Sequence, residues 1–295
     1  MAKNQNAGKS PDKAPSHKPA CFRCRETELP LGSRTYVMGI LNVTPDSFYD
    51  RGRYYNLDNA LRRIEQMITE GADIIDIGGE SSRPGSVGVP EEEELRRTIP
   101  LIKYAKKRFD VILSIDTTKS RVAKEALEEG ASIVNDISGL KFDSEIALVT
   151  AKYKAGLVLM HTTSRPHDMQ TKAEYNEVIS DITLSLAESI DLAEEKGVKP
   201  ECILIDPGFG FGKTLSHNLT ILKRLREFLA LGKPILIGTS RKSFIGKIVG
   251  DSEERLEGTA ATVAIGIMNG ASFIRVHDVL HMKRIAKMVN AVLTV

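Results

Sequence analysis

The chain has 295 residues, 41% of them hydrophobic, enough for one domain with a sizeable core. Its net charge is +2; residues 1–20, with Lys3, Lys9, Lys13 and Lys18 against Asp12, carry +3, so +2 less +3 leaves residues 21–295 at −1. A body without excess positive charge excludes a general nucleic-acid role, and no apolar stretch approaches the roughly 20 residues of a bilayer span.

Residues 1–20 are polar, with Pro11, Pro15 and Pro19. They cannot bury a core and read as a disordered tail. A targeting peptide is the weaker reading, because no apolar segment precedes a cleavage site. Cys21–Glu28 and Arg34–Met38 straddle Leu31-Gly32-Ser33 and predict a short β-hairpin. Cys21 and Cys24 form a lone Cys-x-x-Cys. A structural zinc needs four ligands, so both read as hairpin side chains. Three cysteines make no disulfide framework and suit a reducing cytoplasm.

From Val37 onward a short apolar run ending in a polar cluster recurs. The runs are Val37–Leu41, Ile74–Ile77, Val111–Ile115, Ile133–Val134, Leu157–Met160, Ile203–Ile205, Ile235–Ile237 and Phe273–Val276. Asn42, Glu80, Asp116, Asn135, His161, Asp206, Ser240 and His277 close them. The seven intervals from Asn42 to His277 average roughly thirty-four residues, the size of a βαβ repeat. Helical segments alternate with the runs: Leu57–Glu70, the segment opened by Pro90, Lys119–Glu129, Ser144–Lys154, Glu174–Lys196, Asn218–Leu231, Glu257–Asn269 and Asp278–Leu293. Glycines stop most of them. Glu91 to Glu94 read as a solvated first turn favoured by the helix dipole. Eight such units predict an α/β fold, a (β/α)8 TIM barrel, over residues 21–295 as a single catalytic domain, with the site at the C-terminal strand ends. A doubly wound sheet would gather polar residues at one switch point instead.

Two connections are long and polar. Thr44–Asn56 contains Asp46, Arg51 and Arg53; Ser81–Val89 contains Ser82, Arg83, Pro84, Gly85 and Gly88. On a catalytic face such loops are lids or substrate clamps. Strand ends at Asp116, Asn135 and Asp206 suit a heterocycle, whose amidine-like edge donates two parallel N–H bonds to a carboxylate. Helix capping by Asp116 or Asn135 is the bland alternative. Gly208-Phe209-Gly210-Phe211-Gly212-Lys213-Thr214 is glycine-rich but misses the phosphate-loop pattern, because Pro207 stands at the required first glycine. Gly238-Thr239-Ser240-Arg241-Lys242-Ser243 opens a helix with hydroxyls and cations, an anion site. Arg275 and His277 share one face of the last strand and point inward. With Asn42 beside them they form a candidate pyrophosphate pocket, Arg supplying a fork and His a donor. His161 is as readily structural as functional.

These residues carry a resemblance. Gly39-Ile40-Leu41-Asn42-Val43-Thr44-Pro45-Asp46-Ser47-Phe48 and Asp76-Ile77-Gly78-Gly79-Glu80-Ser81-Ser82-Arg83-Pro84-Gly85 resemble the two leading signatures of the dihydropteroate synthase family. The clusters at Asp116, Asn135, Asp206, Lys242 and Arg275-Val276-His277 follow in that family's order, from about Cys21 to the C-terminus. The resemblance implies a folate-pathway transferase and sulfonamide target. It would join 4-aminobenzoate to 6-hydroxymethyl-7,8-dihydropterin pyrophosphate, giving 7,8-dihydropteroate and pyrophosphate. It implies that Asp116, Asn135, Asp206 and Lys242 bind the pterin, with Arg275 against its face. Asn42, Arg275 and His277 would hold the pyrophosphate, with Mg²⁺ at Asn42. Ser82, Arg83 and Ser243 would meet the aminobenzoate. Lys242, Arg275, His277 and Arg83 become the catalytic set, in a cytoplasmic homodimer. Ser82 stands where the family often has threonine, and His161-Thr162-Thr163-Ser164 replaces a more usual His-Met-Gln-Gly-type stretch. A pterin-dependent methyltransferase or a silent pterin-binding paralogue are the alternatives; both are expected to lack signature residues present here.

Overall fold

The computed structural model describes residues 20–43, 57–81, 85–86, 88–165, 174–250 and 255–295. Eight parallel strands close a barrel: β3 (Tyr36–Asn42), β4 (Ile74–Gly78), β5 (Ile112–Asp116), β6 (Ile133–Asp136), β7 (Gly156–Met160), β8 (Ile203–Asp206), β9 (Ile235–Ile237) and β10 (Ala271–Val276). They pair in chain order, and β10 closes the ring on β3 through Phe273↔Tyr36 to Val276↔Gly39. Closure rules out the doubly wound alternative, which keeps two sheet edges.

Outside the barrel lie α1 (Leu57–Glu70), α2 (Glu91–Arg108), α3 (Ser120–Glu128), α4 (Glu145–Lys152), α5 (Val178–Glu195), α6 (Leu215–Lys223), α7 (Ser243–Val249), α8 (Leu256–Met268) and α9 (Val279–Leu293). Their apolar stripes pack on the outward strand residues; α1 buries Ala60, Leu61, Ile64 and Met67. The helix expected over 218–231 is broken. It ends at Lys223, and Leu225–Leu231 continues as a 3₁₀ segment stopped by Gly232 in the left-handed region. Arg224, at the break, forms ion pairs with Glu177 and Glu227.

The hairpin exists, but not where the glycine suggested. β1 (Cys21–Cys24) pairs with β2 (Thr27–Pro30), so the turn is Arg25-Glu26. Arg25 adopts φ 55°, as tight hairpin turns require, and its N–H is held by the Lys154 carbonyl at 2.7 Å. Gly32, at φ 97°, only links the hairpin to β3.

The hairpin plugs the N-terminal end of the barrel. Phe22, Cys24 and Leu29 pack with Tyr36, Met38, Ile74, Ile133, Val158, Leu204, Leu236 and Phe273, the inward residues at the lower ends of the strands. Phe273 stacks on Tyr36 with centroids 5.0 Å apart and meets the edge of Phe22 at 5.5 Å. Gly156 makes the room: a Cβ there would lie 2.5 Å from Phe22 Cζ. Among the described residues no helix is long and apolar enough to cross a membrane.

Candidate active site

Strand alternation decides which polar side chains enter the barrel. Asp76 follows Ile74 on the inward face of β4 and is opposite Ser114 of β5; Asp116, two residues on, is opposite Asn135 of β6. Above the apolar plug the interior therefore becomes polar. Its centre is Asp76, wholly buried. Its Oδ2 accepts from Arg275 Nε at 2.6 Å and from Asn135 Nδ2 at 3.0 Å. Arg275 Nη2 also donates to Asp116 Oδ2 at 2.6 Å. One guanidinium thus joins the carboxylates of β4 and β5 from β10. Burial pushes Asp116 upward from the ordinary carboxylate range, and Arg275 opposes that shift. Among the described residues Asp76 Oδ1 and Ser114 Oγ are buried without a hydrogen-bond partner.

Asp116 and Asn135 are not helix caps, since α3 is preceded by Lys119 and α4 by Ser144. Asp136, beside Asn135, instead braces the loop after β6, accepting from the Ser138 N–H and hydroxyl and the Leu140 N–H. Asp206 ends β8 buried, and its Oδ1 accepts from the Gly208 N–H at 2.7 Å. Burial pushes it up to about 6, against the pull of that N–H and of the Lys242 and Lys213 charges. Lys242 lies over the Phe211 ring, Nζ 4.1 Å from its centroid. Burial, then Arg275, push it down to about 8.

At the β9–β10 side, Ser240 Oγ accepts from the His277 N–H at 3.2 Å and lies 3.0 Å from His277 Nδ1. Burial holds the imidazole neutral, pushed down to about 3. A hydroxyl that already accepts from the backbone donates to Nδ1, which leaves the ring proton on Nε2 as a donor. Arg241, at φ 57°, is paired in fork fashion with Asp278. Ser243 is exposed at the start of α7. Asn42 ends β3 opposite Gly78. A Cβ at Gly78 would lie 3.4 Å from Asp116 Cβ and 3.7 Å from Asn42 Oδ1, so that glycine brings the two side chains near each other.

The structure therefore brings Asp116, Asn135, Asp206, Lys242, Arg275, His277 and Asn42 to one mouth. Ser82, Arg83 and the whole of Thr44–Asn56 lie outside the described residues. Glu80, which closes the second run, is tied to Lys119 Nζ at 2.7 Å and to the Val89 N–H at 3.2 Å. Lys119 also holds Glu94, which is buried. The solvated reading of the acidic first turn thus fails at Glu94: helix α2 turns it inward, and burial pushes its carboxyl up.

Sequence reasoning missed Asp76. A carboxylate inside the run Ile74–Ile77, on the same face as Ile74, was a legible signal, because a buried parallel strand takes a charge only with partners. It also left Lys213 without a role.

Asn42 offers a single neutral oxygen, and among the described residues no group of three or more His, Cys, Asp or Glu side chains could hold a metal. That donor set fits a magnesium ion bound mainly through substrate phosphate oxygens and water, the usual manner of Mg²⁺.

A family model described as pterin binding enzyme matches residues 38–277. A dihydropteroate synthase of Clostridium beijerinckii is 49% identical over 267 residues, 90% of this chain and 97% of that one. The solved structure of dihydropteroate synthase from Clostridium difficile, determined in the presence of pteroic acid, is 48% identical with a TM-score of 0.84, covering 89% of this chain and 98% of its own. That of Xanthomonas albilineans, with 4-aminobenzoic acid, is 38% identical with a TM-score of 0.87, covering 94% and 99%.

Proposed function

The chain belongs to the dihydropteroate synthase family and is a transferase, and we propose that the buried array at its barrel mouth is where a dihydropterin pyrophosphate and 4-aminobenzoate are joined. The observation that carries the placement is the Asp76–Arg275–Asp116 array beside Asn135 and Asp206, which offers acceptors and a flat cation at one spot. Asp206 accepts the N–H edge of the pterin, Asn135 and Asp116 meet the rest of the ring, and Arg275 lies against its face. Lys242, seated on Phe211, donates to a ring acceptor.

The reaction breaks the methylene carbon–oxygen bond to pyrophosphate, forms a carbon–nitrogen bond to the aromatic amine and releases a proton from that amine. It needs no side-chain nucleophile. Arg275 and the Nε2–H of His277 meet charge growing on the leaving group in a desolvated site, where fixed donors act most strongly. Ser82, Arg83 and Ser243 receive the aminobenzoate, Arg83 as partner for its carboxylate. Holding the amine in line with the breaking bond supplies several kcal/mol, order of magnitude, without further chemistry. Mg²⁺ held at Asn42 would neutralise charge on the pyrophosphate.

A cytoplasmic homodimer completes the reading. The free thiols of Cys21, Cys24 and Cys202 suit a reducing compartment. Exposed Ile265 and Met268 on α8 and Leu280 and Met288 on α9 offer a contact between copies. The test is a pyrophosphate-release assay with the pterin pyrophosphate, with and without 4-aminobenzoate. Release that requires both is expected; release indifferent to 4-aminobenzoate would overturn the reading. Sedimentation at micromolar concentration checks the dimer.

A further inference from the structure

Lys213 is a buried lysine at the end of the glycine-rich turn after β8, its amine pushed well down by burial, and the reaction above makes no use of it. It is only 4% exposed. Its Nζ donates to the Phe211 carbonyl at 2.9 Å and lies 3.0 Å from His161 Nδ1. Burial holds His161 neutral, pushed down to about 2, so Nδ1 accepts and the ring proton sits on Nε2. A lysine taken out of water carries a desolvation cost that only its hydrogen-bond partners offset.

What it ties down is the turn 206–213. Asp206 begins that turn and Phe211 sits within it. The turn is pressed on the end of β7: Gly208, at φ 73°, would place a Cβ 2.0 Å from the His161 carbonyl oxygen, and the His161 N–H donates to the Asp206 carbonyl at 2.9 Å. Asn218 of α6 holds the other side, its Oδ1 accepting from the Gly210 N–H at 2.8 Å. Lys213 closes the clamp between β7 and the turn. Phe211, whose carbonyl it grips, is the ring on which Lys242 rests.

We propose that Lys213 is a positioning residue for pterin recognition: through His161 and the Phe211 carbonyl it fixes the turn that presents Asp206 and seats Lys242. This rests on the reading of the site as pterin-binding. Lys213 needs no contact with substrate. His161, left open between structural and functional, becomes the anchor on β7, and the glycine-rich segment becomes the flexible piece that the clamp sets.

The experiment uses the full chain and three variants. Lys213→Met keeps length and removes the donors. His161→Leu removes the acceptor. The double variant removes both, so no polar group of that pair is left stranded. Calorimetry with a pterin analogue, the KM of each substrate and the Tm are measured. Lys213→Met is expected to weaken analogue binding and raise the pterin KM at least tenfold, with the 4-aminobenzoate KM within twofold. The double variant should recover most of the lost Tm and remain weak for pterin. Recovery of pterin affinity together with Tm would reduce Lys213 to fold support and overturn the proposal. So would equal rises in both KM values, or unchanged pterin affinity in Lys213→Met. Wild-type protein that binds no pterin analogue would instead overturn the reading of the site itself, and the Lys213 assignment with it.

Discussion

At the closed end of the barrel Phe22, Cys24, Leu29, Tyr36 and Phe273 exclude water; a few residues farther along the same strands Asp76, Asp116, Asn135, Asp206 and Arg275 fill the same interior. Both regions obey one rule of alternation, and both are buried. They differ in what burial does. A buried phenylalanine contributes about 1.5–3 kcal/mol to the fold. A buried carboxylate or guanidinium is stripped of water and offsets that loss only through its partners. The closed end therefore holds the barrel, and the mouth draws on that stability to keep charges desolvated, where they act strongly on a substrate.

The sharpest way to break this contrast is Asp76→Ala. It leaves Asn135 Nδ2 without its acceptor and Arg275 with Asp116 alone, and kcat/KM should fall at least 100-fold, about 2.7 kcal/mol of transition-state stabilisation. Pyrophosphate release measures it; a fall of less than tenfold would show that Asp116 alone orients Arg275. Next comes Phe22→Ala at the other end. Denaturant unfolding should show a loss of about 3–5 kcal/mol, while pterin-analogue affinity in native buffer stays within twofold. A comparable loss of affinity would mean that the plug shapes the mouth. Asp206→Asn is smaller: one acceptor becomes a donor facing the proposed pterin edge, and binding should weaken by about 1–3 kcal/mol with little change in Tm. Calorimetry giving wild-type affinity would remove Asp206 from the pterin site.

The smallest effect is that of pH. In the proposed site Asp206 would accept the pterin N–H bonds as the carboxylate, so affinity should fall as pH drops through about 6, while Lys242 loses its charge as pH rises through about 8. A titration of analogue affinity should rise into that window and decline above it. A flat profile from pH 5 to 9, about one unit beyond each limit, would detach both groups from binding.

Much of the barrel was legible because each run of Val, Ile and Leu ends on a polar residue at a βαβ interval. The place of Asp116, Asn135, Asp206, Arg275 and His277 at the barrel mouth was legible for the same reason, since they stand at or beside strand ends. Asp76 was not, since it lies within a run and its partners come from β6 and β10, far away in sequence. The hairpin turn was misplaced because Gly32 is the stronger local signal, whereas Arg25-Glu26 is set by pairing of Cys24 with Thr27 and by the Lys154 carbonyl. Glu94 looked solvated because Lys119, which neutralises it, belongs to the next repeat.

Closure of the ring has a consequence for how the molecule is made. β3 finds its second neighbour only in β10, and Tyr36 and Phe273 stand 237 positions apart. The Thr35–Asn290 hydrogen bond and the Asp73–Lys283 ion pair span 255 and 210 positions. At about 5–20 residues per second of synthesis, roughly 12 to 47 seconds separate the emergence of those two strands. During that interval β3 carries an open apolar edge, and Phe22 has no Phe273 to meet. An open strand edge is a template for pairing with other chains, and here it closes only when the last strand arrives.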